Sequence, residues 1–133
     1  MQFYLGIKYK EDLSNKALIE KISCIVEEED HEIVCVHKDL EDWGRNHVSS
    51  EDLMMRTMEM IDDCDALLIE FSEKGVGLGI EAGYAFAKSI PVYVLLPKGK
   101  LLSTTMNGIC KKCFEYETTE DIVMSIKEIG KTS

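Results

Sequence analysis

The amino-acid sequence predicts an α/β sandwich of three layers, with helices on both sides of a five-stranded and mainly parallel sheet. Short apolar segments alternate along the chain with longer segments whose apolar residues recur at helical spacing. The segments 2–7, 66–71 and 91–96 are almost continuously apolar, as expected of parallel strands that are covered on both faces. The 133 residues contain no repeat and no linker, so we expect one domain over 1–133.

The elements follow one another in a regular order. Strands are expected at 2–7, 32–37, 66–71, 91–96 and 112–117, the last alternating like an edge strand. Helices are expected at 11–28, 50–62, 80–89 and after 118, with 38–50 as a long loop, whereas 101–109 fits a loop or one helical turn. Ser49 with Asp52, and Thr118 with Asp121, have the spacing of capping boxes. This order is typical of flavodoxin-like and Rossmann-like folds.

Composition and charge narrow the class of protein. No segment reaches the roughly 18–20 apolar residues that span a bilayer, and the N-terminal segment has no basic region before its apolar run. We therefore expect no membrane association, no signal peptide and a cytoplasmic location. The net charge of −10 argues against a nucleic-acid polymer as partner, because such binding needs many phosphate contacts. The negative net charge is compatible with one small anion bound in a local basic pocket.

The five cysteines are expected to be reduced thiols, because their number is odd and the chain is long enough to fold without disulfides. Cys110 and Cys113 form a CxxC, but no second pair of ligands has the spacing of a zinc site. The pair also precedes a strand late in the chain, whereas a thioredoxin-like motif opens a helix after an early strand. We predict ordinary cysteines, no metal site and no cofactor.

Ligands of parallel α/β sheets bind at the carboxyl ends of the strands. Two of the four segments at this edge carry lysine pairs, Lys8 with Lys10 and Lys98 with Lys100; the other two segments are 37–43 and 72–81. A solvated surface lysine is the simpler interpretation of any one of them. Two pairs at the ligand edge of an acidic chain nevertheless favour an anion site. Tyr9, between the first pair, could stack on a base or a sugar.

The segment GVGLGIEAG, at 75–83, places glycines before a helix. Its Gly77-x-Gly79-x-x-Ala82 matches the dinucleotide-binding pattern, but that pattern should follow the first strand and precede an acidic residue about 20 positions later. No Lys-Ser or Lys-Thr follows, so it is not a P-loop. The alternative is that the glycines clear space around Glu81, which the start of the helix would keep ionised. Such a carboxylate can attack an anomeric carbon, although a glutamate that only complements the helix dipole is the simpler interpretation.

The segment CDALLIEFSEKGVGLGIEAGYAFAKSIPVYVLLPKG resembles the nucleoside 2-deoxyribosyltransferase family, and most of all its branch of 2'-deoxynucleoside 5'-phosphate N-hydrolases. The start of the chain, MQFYLG, resembles the first strand of that family. LLSTTMNG, at 101–108, resembles a segment that in the hydrolase branch enters the active site of the other subunit of a dimer. The resemblance is specific over 64–98, moderate in the two shorter segments and weak between them.

The resemblance implies cleavage or transfer of the base of a nucleoside or nucleoside 5'-monophosphate. Glu81 would be the nucleophile, Gly77 and Gly79 would shape its loop, and Gly6 would lie under the substrate. Ser103 would reach the phosphate or base from the other subunit of a homodimer with shared active sites. The lysines would lie beside the 5'-phosphate, which favours hydrolysis of monophosphates over transfer.

Two positions depart from the family pattern. The aspartate with which the family protonates or holds the leaving base falls, by spacing, on Thr57. The phosphate-binding serine of the hydrolases falls on Gly75, and Ser72 could partly substitute for it. The alternative function is therefore a nucleotide-binding or sensing module of the same fold with weak or no catalysis. Flavin binding is disfavoured, because the loop after the first strand lacks the Ser/Thr-rich phosphate site of flavodoxins.

Overall fold

The sheet of the computed structural model, which describes residues 1–132, has five strands in the order β2-β1-β3-β4-β5. All four strand pairs are parallel, so the sheet is wholly rather than mainly parallel. The order is that of flavodoxin-like folds, with the switch point between β1 and β3. The strands are β1 Gln2–Gly6, β2 Glu32–Val34, β3 Ala66–Glu70, β4 Val92–Pro97 and β5 Lys112–Tyr116.

The helices cover both faces of the sheet, as predicted, and divide the core into two halves. Helices α1 and α5 bury residues such as Ile22 and Ile126 on one face. Helices α2, α3 and α4 lie on the other face, where Ile61, Ala82 and Met106 are buried. The five helices are α1 Lys16–Glu28, α2 Ser50–Asp62, α3 Val76–Ala87, α4 Thr104–Ile109 and α5 Thr119–Lys131.

Side chains of β1 alternate between the two halves of the core, as the pleat of a strand requires. Phe3 and Leu5 pack on the side of α1 and α5, whereas Tyr4 packs on the side of α2 and α3. Every residue of β3 is buried, which explains why all of them except Glu70 are apolar. Gly6 at the end of β1 is paired with Ile69 of β3. This register places Gly6 at the carboxyl edge of the sheet, where ligands of such folds bind.

Only one of the two predicted capping boxes forms completely. At α5, the Thr118 side chain accepts from the Asp121 N–H while the Asp121 carboxylate accepts from the Thr118 N–H. At α2, Ser49 Oγ accepts from the Asp52 N–H at 3.2 Å, but the Asp52 carboxylate pairs with Arg56 instead. The prediction for α2 is therefore half wrong, because an ion pair one turn along the helix takes the carboxylate.

The largest differences from the predicted boundaries are in β2, α1, α3 and the segment 101–109, whereas the other strand ends shift by one residue. Strand β2 ends three residues early, because the Cys35 N–H donates to Asp39 Oδ2 at 2.8 Å and the chain turns into short helical turns at Val36–Leu40 and Asp42–Gly44. Helix α1 begins later than predicted, and the ambiguous segment 101–109 contains α4. Helix α3 begins at Val76, four residues early, since the glycines of its first turns continue the helix instead of forming a loop.

No helix in the described part of the chain is long and apolar enough to cross a bilayer. Within residues 1–132, no group of three or more His, Cys, Asp or Glu side chains is placed to hold a metal ion. All five cysteines have free thiols, and Cys35 and Cys64 are buried.

Candidate active site

A cavity of about 370 Å³ opens at the carboxyl edge of the sheet, on the side of α2 and α3. Its walls come from four parts of the chain that are distant in sequence: the segments after β1 and β2, helix α2, and the start of α3. The side chains that matter for chemistry are those of Lys8, Tyr9, His37, Glu41, Thr57 and Glu81. Much of the remaining cavity wall is formed by the apolar side chains of Val36, Leu53, Met54 and Leu78. The cavity thus combines an apolar wall with a few polar groups, as small-molecule sites do.

Glu81 projects from the second turn of α3, not from the first turn as predicted, because the helix begins at Val76. Its Oε2 atom is enclosed and has no hydrogen-bond partner among residues 1–132. Burial raises the pKa of Glu81 to about 7, although a hydrogen bond from the Tyr4 hydroxyl opposes the shift. Burial thus opposes the ionisation that the start of the helix was expected to favour, because desolvation disfavours the charged carboxylate.

Gly6 lies directly against the Glu81 carboxyl group. A Cβ atom at this position would lie 2.8 Å from Glu81 Oε2 and 2.6 Å from Ile69 Cδ1. No side chain fits there without moving both the Glu81 carboxyl group and the end of the Ile69 side chain. Tyr4, 1% exposed, lies nearby on the same strand, and its own pKa is raised by burial and then by the charge of Glu81. Neither sequence pattern nor the family resemblance had indicated Tyr4.

His37 follows β2 and was also missed, although segment 37–43 had been placed at the ligand edge. Its Nε2 lies 2.9 Å from the Ile7 carbonyl oxygen, which can only accept, and its Nδ1 lies 3.3 Å from Glu41 Oε1. The ring packs against Tyr9 with centroids 5.2 Å apart. These contacts fix the His37 ring in the wall of the cavity, and Tyr9 remains 44% exposed.

Thr57 lines the same cavity as Glu81, so the spacing argument placed it correctly. It is 2% exposed, and its hydroxyl donates to the Leu53 carbonyl oxygen of its own helix at 2.7 Å. A hydroxyl committed in this way is a poor proton donor to a ligand. Any proton donor in this cavity must therefore be sought at another position.

Only one of the four predicted lysines, Lys8, lines the Glu81 cavity. Lys8 lines the Glu81 cavity, and its Cγ lies 3.6 Å from the place that a Cβ atom would take at Gly75. No acidic side chain of residues 1–132 forms an ion pair with Lys8. Lys10 pairs with Glu73 at 3.0 Å and lines a neighbouring cavity with Lys100. Lys98 pairs with Glu117 at 3.3 Å and lines neither of the two cavities.

The remaining predicted residues occupy several places. Ser72 lines the neighbouring cavity, and its hydroxyl donates to Glu70 Oε2 at 2.5 Å. Ser103 caps α4 by accepting from the Met106 N–H at 3.3 Å and lines neither cavity. Gly75 and Gly77 line the Glu81 cavity, with Gly75 as the N-cap of α3. Gly77 and Gly79 lie in α3 rather than in a loop, and a Cβ atom at either would meet no other atom within 4 Å.

Comparisons with known proteins bear on the fold and on the family resemblance. No family model matches the chain. A protein of Thermofilum pendens, provisionally named 2'-deoxynucleoside 5'-phosphate N-hydrolase 1, is 23% identical to this chain over an alignment of 133 positions, gaps included. The alignment covers 97% of this chain and 92% of that protein. A CMP N-glycosidase of Clostridium botulinum has a similar structure, with a TM-score of 0.72 and 16% identity over 97% of this chain and 99% of that one.

The 2-deoxyribosyltransferase of Bacillus psychrosaccharolyticus is also similar, with a TM-score of 0.68 and 16% identity over 92% of this chain and 90% of that one. The chain therefore has the α/β fold of the nucleoside deoxyribosyltransferases. In sequence, it is similar to the N-hydrolase branch of the nucleoside 2-deoxyribosyltransferase family, so the predicted resemblance is confirmed.

Replacing Glu81 by Gln should change how stability depends on pH. The pKa of Glu81 in the folded protein, about 7, exceeds its ordinary value of 4.5. Between these values the native state binds more protons than the unfolded chain, so wild-type stability falls as the pH rises from about 4.5 to 7. The loss approaches about 3 kcal/mol above pH 7. Urea unfolding should show that Glu81→Gln gains stability relative to the wild type as the pH rises from 4.5 to 8.

Glu59 on the exposed surface of α2 provides the control, because Glu59→Gln removes the same charge without touching the cavity. This variant should follow the wild type at both pH values. A stability difference between Glu81→Gln and the wild type that stays constant with pH would contradict the raised pKa.

Proposed function

We propose that this protein is an N-glycosidase that uses Glu81 as nucleophile on a nucleoside or nucleoside 5'-monophosphate. The observation that carries the proposal is the enclosed Glu81 Oε2 atom, which has no partner among the described residues and lines a cavity of nucleoside size. Leaving a buried carboxylate oxygen unpaired costs free energy unless a ligand uses it. The N-hydrolase, N-glycosidase and deoxyribosyltransferase among the similar proteins support the same class of reaction.

In the proposed reaction, the ionised Glu81 carboxylate attacks C1' of the sugar, and the bond between C1' and the base nitrogen breaks with its electrons moving to the base. The positive charge that develops on the sugar ring favours the ionised carboxylate, which opposes the effect of burial on its pKa. Water then attacks C1' and releases the sugar, or a second base takes the place of water and transfer results. The carboxylate is regenerated in either case.

The departing base needs a proton, and Thr57 is poorly placed to give one because its hydroxyl donates to the Leu53 carbonyl oxygen. We assign this role to His37, whose ring lies in the same cavity and is oriented by two fixed acceptors. The contact from Nδ1 to Glu41, at 3.3 Å, is the longer of its two and the one that a base nitrogen can replace. Tyr9 beside the ring offers an aromatic surface for the base.

A 5'-phosphate fits beside Lys8 and the start of α3. Gly75 caps this helix without a side-chain hydrogen bond, so the first backbone N–H groups of α3 face the cavity without a capping oxygen. Lys8 adds the only ammonium group among the cavity-lining residues. This pairing of a cation with a helix N-terminus supports monophosphates as substrates, and hydrolysis over transfer.

Base release from a panel of nucleosides, deoxynucleosides and their 5'-monophosphates tests the proposal by chromatography. We expect release from at least one monophosphate, at a rate that falls as the pH is lowered below about 7, because Glu81 then holds its proton. Glu81→Gln should abolish it, and His37→Gln should slow it by on the order of 10²- to 10⁴-fold. His47→Gln is the control, because His47 is exposed and lines neither cavity.

Activity retained in Glu81→Gln would refute the nucleophile assignment. Binding of monophosphates without base release under any condition would instead favour the second candidate, a nucleotide-binding or sensing module. Thr57 is the observation that favours this candidate, since a hydroxyl that donates to its own helix stands where the family carries an aspartate.

We also propose that the protein forms a homodimer through an apolar face of α3. Val76, Ile80 and Phe86 are 83%, 47% and 56% exposed, and Gly79 and Gly83 lie between them on the same side of the helix. Helix α4 packs beside α3 and is preceded by Leu101, which is 88% exposed. A second copy on this face would cover the apolar surface and bring Ser103, at the start of α4, towards the cavity of its partner.

Replacing Ile80 by Asp should prevent this association, because it buries a charge in the proposed interface. Sedimentation velocity should show a dimer for the wild type and a monomer for Ile80→Asp. Met124→Asp is the control, since Met124 is 56% exposed on α5, across the sheet from α3. A wild type that sediments as a monomer at micromolar concentration would contradict the homodimer.

A further inference from the structure

The second cavity at the carboxyl edge of the sheet has a volume of about 300 Å³ and lies on the side of α1. It shares only Ile7 and Lys8 with the Glu81 cavity. Three lysines line it, Lys8, Lys10 and Lys100, in a protein with a net charge of −10. We propose that this cavity is a separate anion site that binds a phosphoryl group.

The carboxylates around this cavity do not account for three lysines. Glu70 is fully buried, and its oxygens accept from the Ser72 N–H at 2.7 Å, the Ser72 hydroxyl at 2.5 Å and the Tyr116 hydroxyl at 2.8 Å. Its hydrogen-bonding capacity is therefore largely used without any lysine. Glu73 pairs with Lys10 at 3.0 Å, and it is the only other acidic residue that lines the cavity.

The positive charges of the three ammonium groups all stabilise the ionised form of one carboxyl group, that of Glu73. The hydrogen bond from Lys10 lowers the pKa of Glu73, and the charges of Lys10, Lys8 and Lys100 each lower it further. Among the described residues, neither Lys8 nor Lys100 forms an ion pair. An anion that enters beside Glu73 therefore meets two uncommitted ammonium groups, and a third if Lys10 exchanges partners.

The start of α1 adds backbone donors to the same cavity. Asn15 is the N-cap, but its side chain does not cap the helix, because Nδ2 donates to the Lys8 carbonyl oxygen at 2.9 Å. No acidic residue lies in the first turn of α1. Ser14, Asn15 and Leu18 line the cavity, so the positive end of this 13-residue helix opens onto it without a side-chain cap. The Lys16 N–H donates to the Leu13 carbonyl oxygen at 3.1 Å, and the donors that follow it in the first turn have no side-chain acceptor.

A phosphoryl group could reach this cavity from two sources. One is free phosphate. The other is the outer phosphates of a nucleotide whose sugar lies at Glu81, since Lys8 belongs to both cavities and Lys10 and Lys100 continue from it. The chemistry of recognition is the same, ammonium groups and backbone N–H groups around phosphate oxygens. Binding at this site does not require base release, so the anion site can be tested independently of the proposed catalysis.

Isothermal titration calorimetry on full-length protein tests the site with inorganic phosphate, pyrophosphate, a deoxynucleoside monophosphate and the matching triphosphate. Glu81→Gln serves as the background, so that no substrate is consumed. Adding Lys100→Gln should weaken binding of the occupant on the order of tenfold. Adding Glu73→Gln should tighten it severalfold, because a competing carboxylate is removed. Lys98→Gln should change nothing, since Lys98 lines neither cavity.

Comparison of the four ligands distinguishes free phosphate from the outer phosphates of a nucleotide as the occupant. Lys100-dependent binding of inorganic phosphate or pyrophosphate identifies a free-anion site. Lys100-dependent binding of the triphosphate, with unchanged binding of the monophosphate, identifies the outer phosphates of a nucleotide. If Lys100→Gln binds every ligand as well as Lys98→Gln does, or if neither phosphate nor any of the other ligands binds at millimolar concentration, the proposal is overturned.

Discussion

The close contact between the Glu81 carboxyl group and the backbone of Gly6 is the constraint on which the candidate site depends. A Cβ atom at Gly6 would be 2.8 Å from Oε2, so the end of β1 must be a glycine for the carboxyl group to reach its place. The same enclosure removes water from Oε2 and leaves this atom without a hydrogen-bond partner among residues 1–132. Burial raises the pKa of the group to about 7, although a hydrogen bond from Tyr4 opposes the shift. Tertiary packing thus holds a carboxyl group where ionisation costs free energy, which is typical of groups that act on a ligand.

The rest of the fold keeps this arrangement in place. The fully buried β3 fixes Ile69 beside Gly6, and the two halves of the core hold α3 against the sheet. At the carboxyl edge, the sheet separates two cavities that share Lys8. One contains Glu81 and an apolar wall, while the other contains a basic cluster and the start of α1. The proposed division between a cavity for a sugar and base and a cavity for an anion would follow from the two faces of one sheet.

Much of the fold could be predicted from sequence, because buried parallel strands are apolar throughout and amphipathic helices separate them. The start of α3 was misplaced, since Gly77 and Gly79 lower helix propensity without ending a helix that packing stabilises. Sequence could single out Glu81 as a candidate, but not the effect of burial on its pKa, because that burial depends on Tyr4 and Gly6 from a distant strand. His37 was missed for a similar reason, since only the sheet order brings the end of β2 beside that of β1. Lys8, Lys10 and Lys100 line cavities at the carboxyl edge whereas Lys98 lines neither, and sequence does not tell which face of the sheet each side chain lines.

Mass spectrometry of a rapidly quenched reaction tests most directly whether Glu81 is the nucleophile. Protein mixed with a monophosphate that it cleaves would be quenched in acid, digested and mapped. The proposed mechanism predicts a peptide containing Glu81 that carries the mass of the sugar phosphate, absent in Glu81→Gln and absent when substrate is omitted. Base release without any such adduct in quenched time points, or an adduct on another residue, would contradict it.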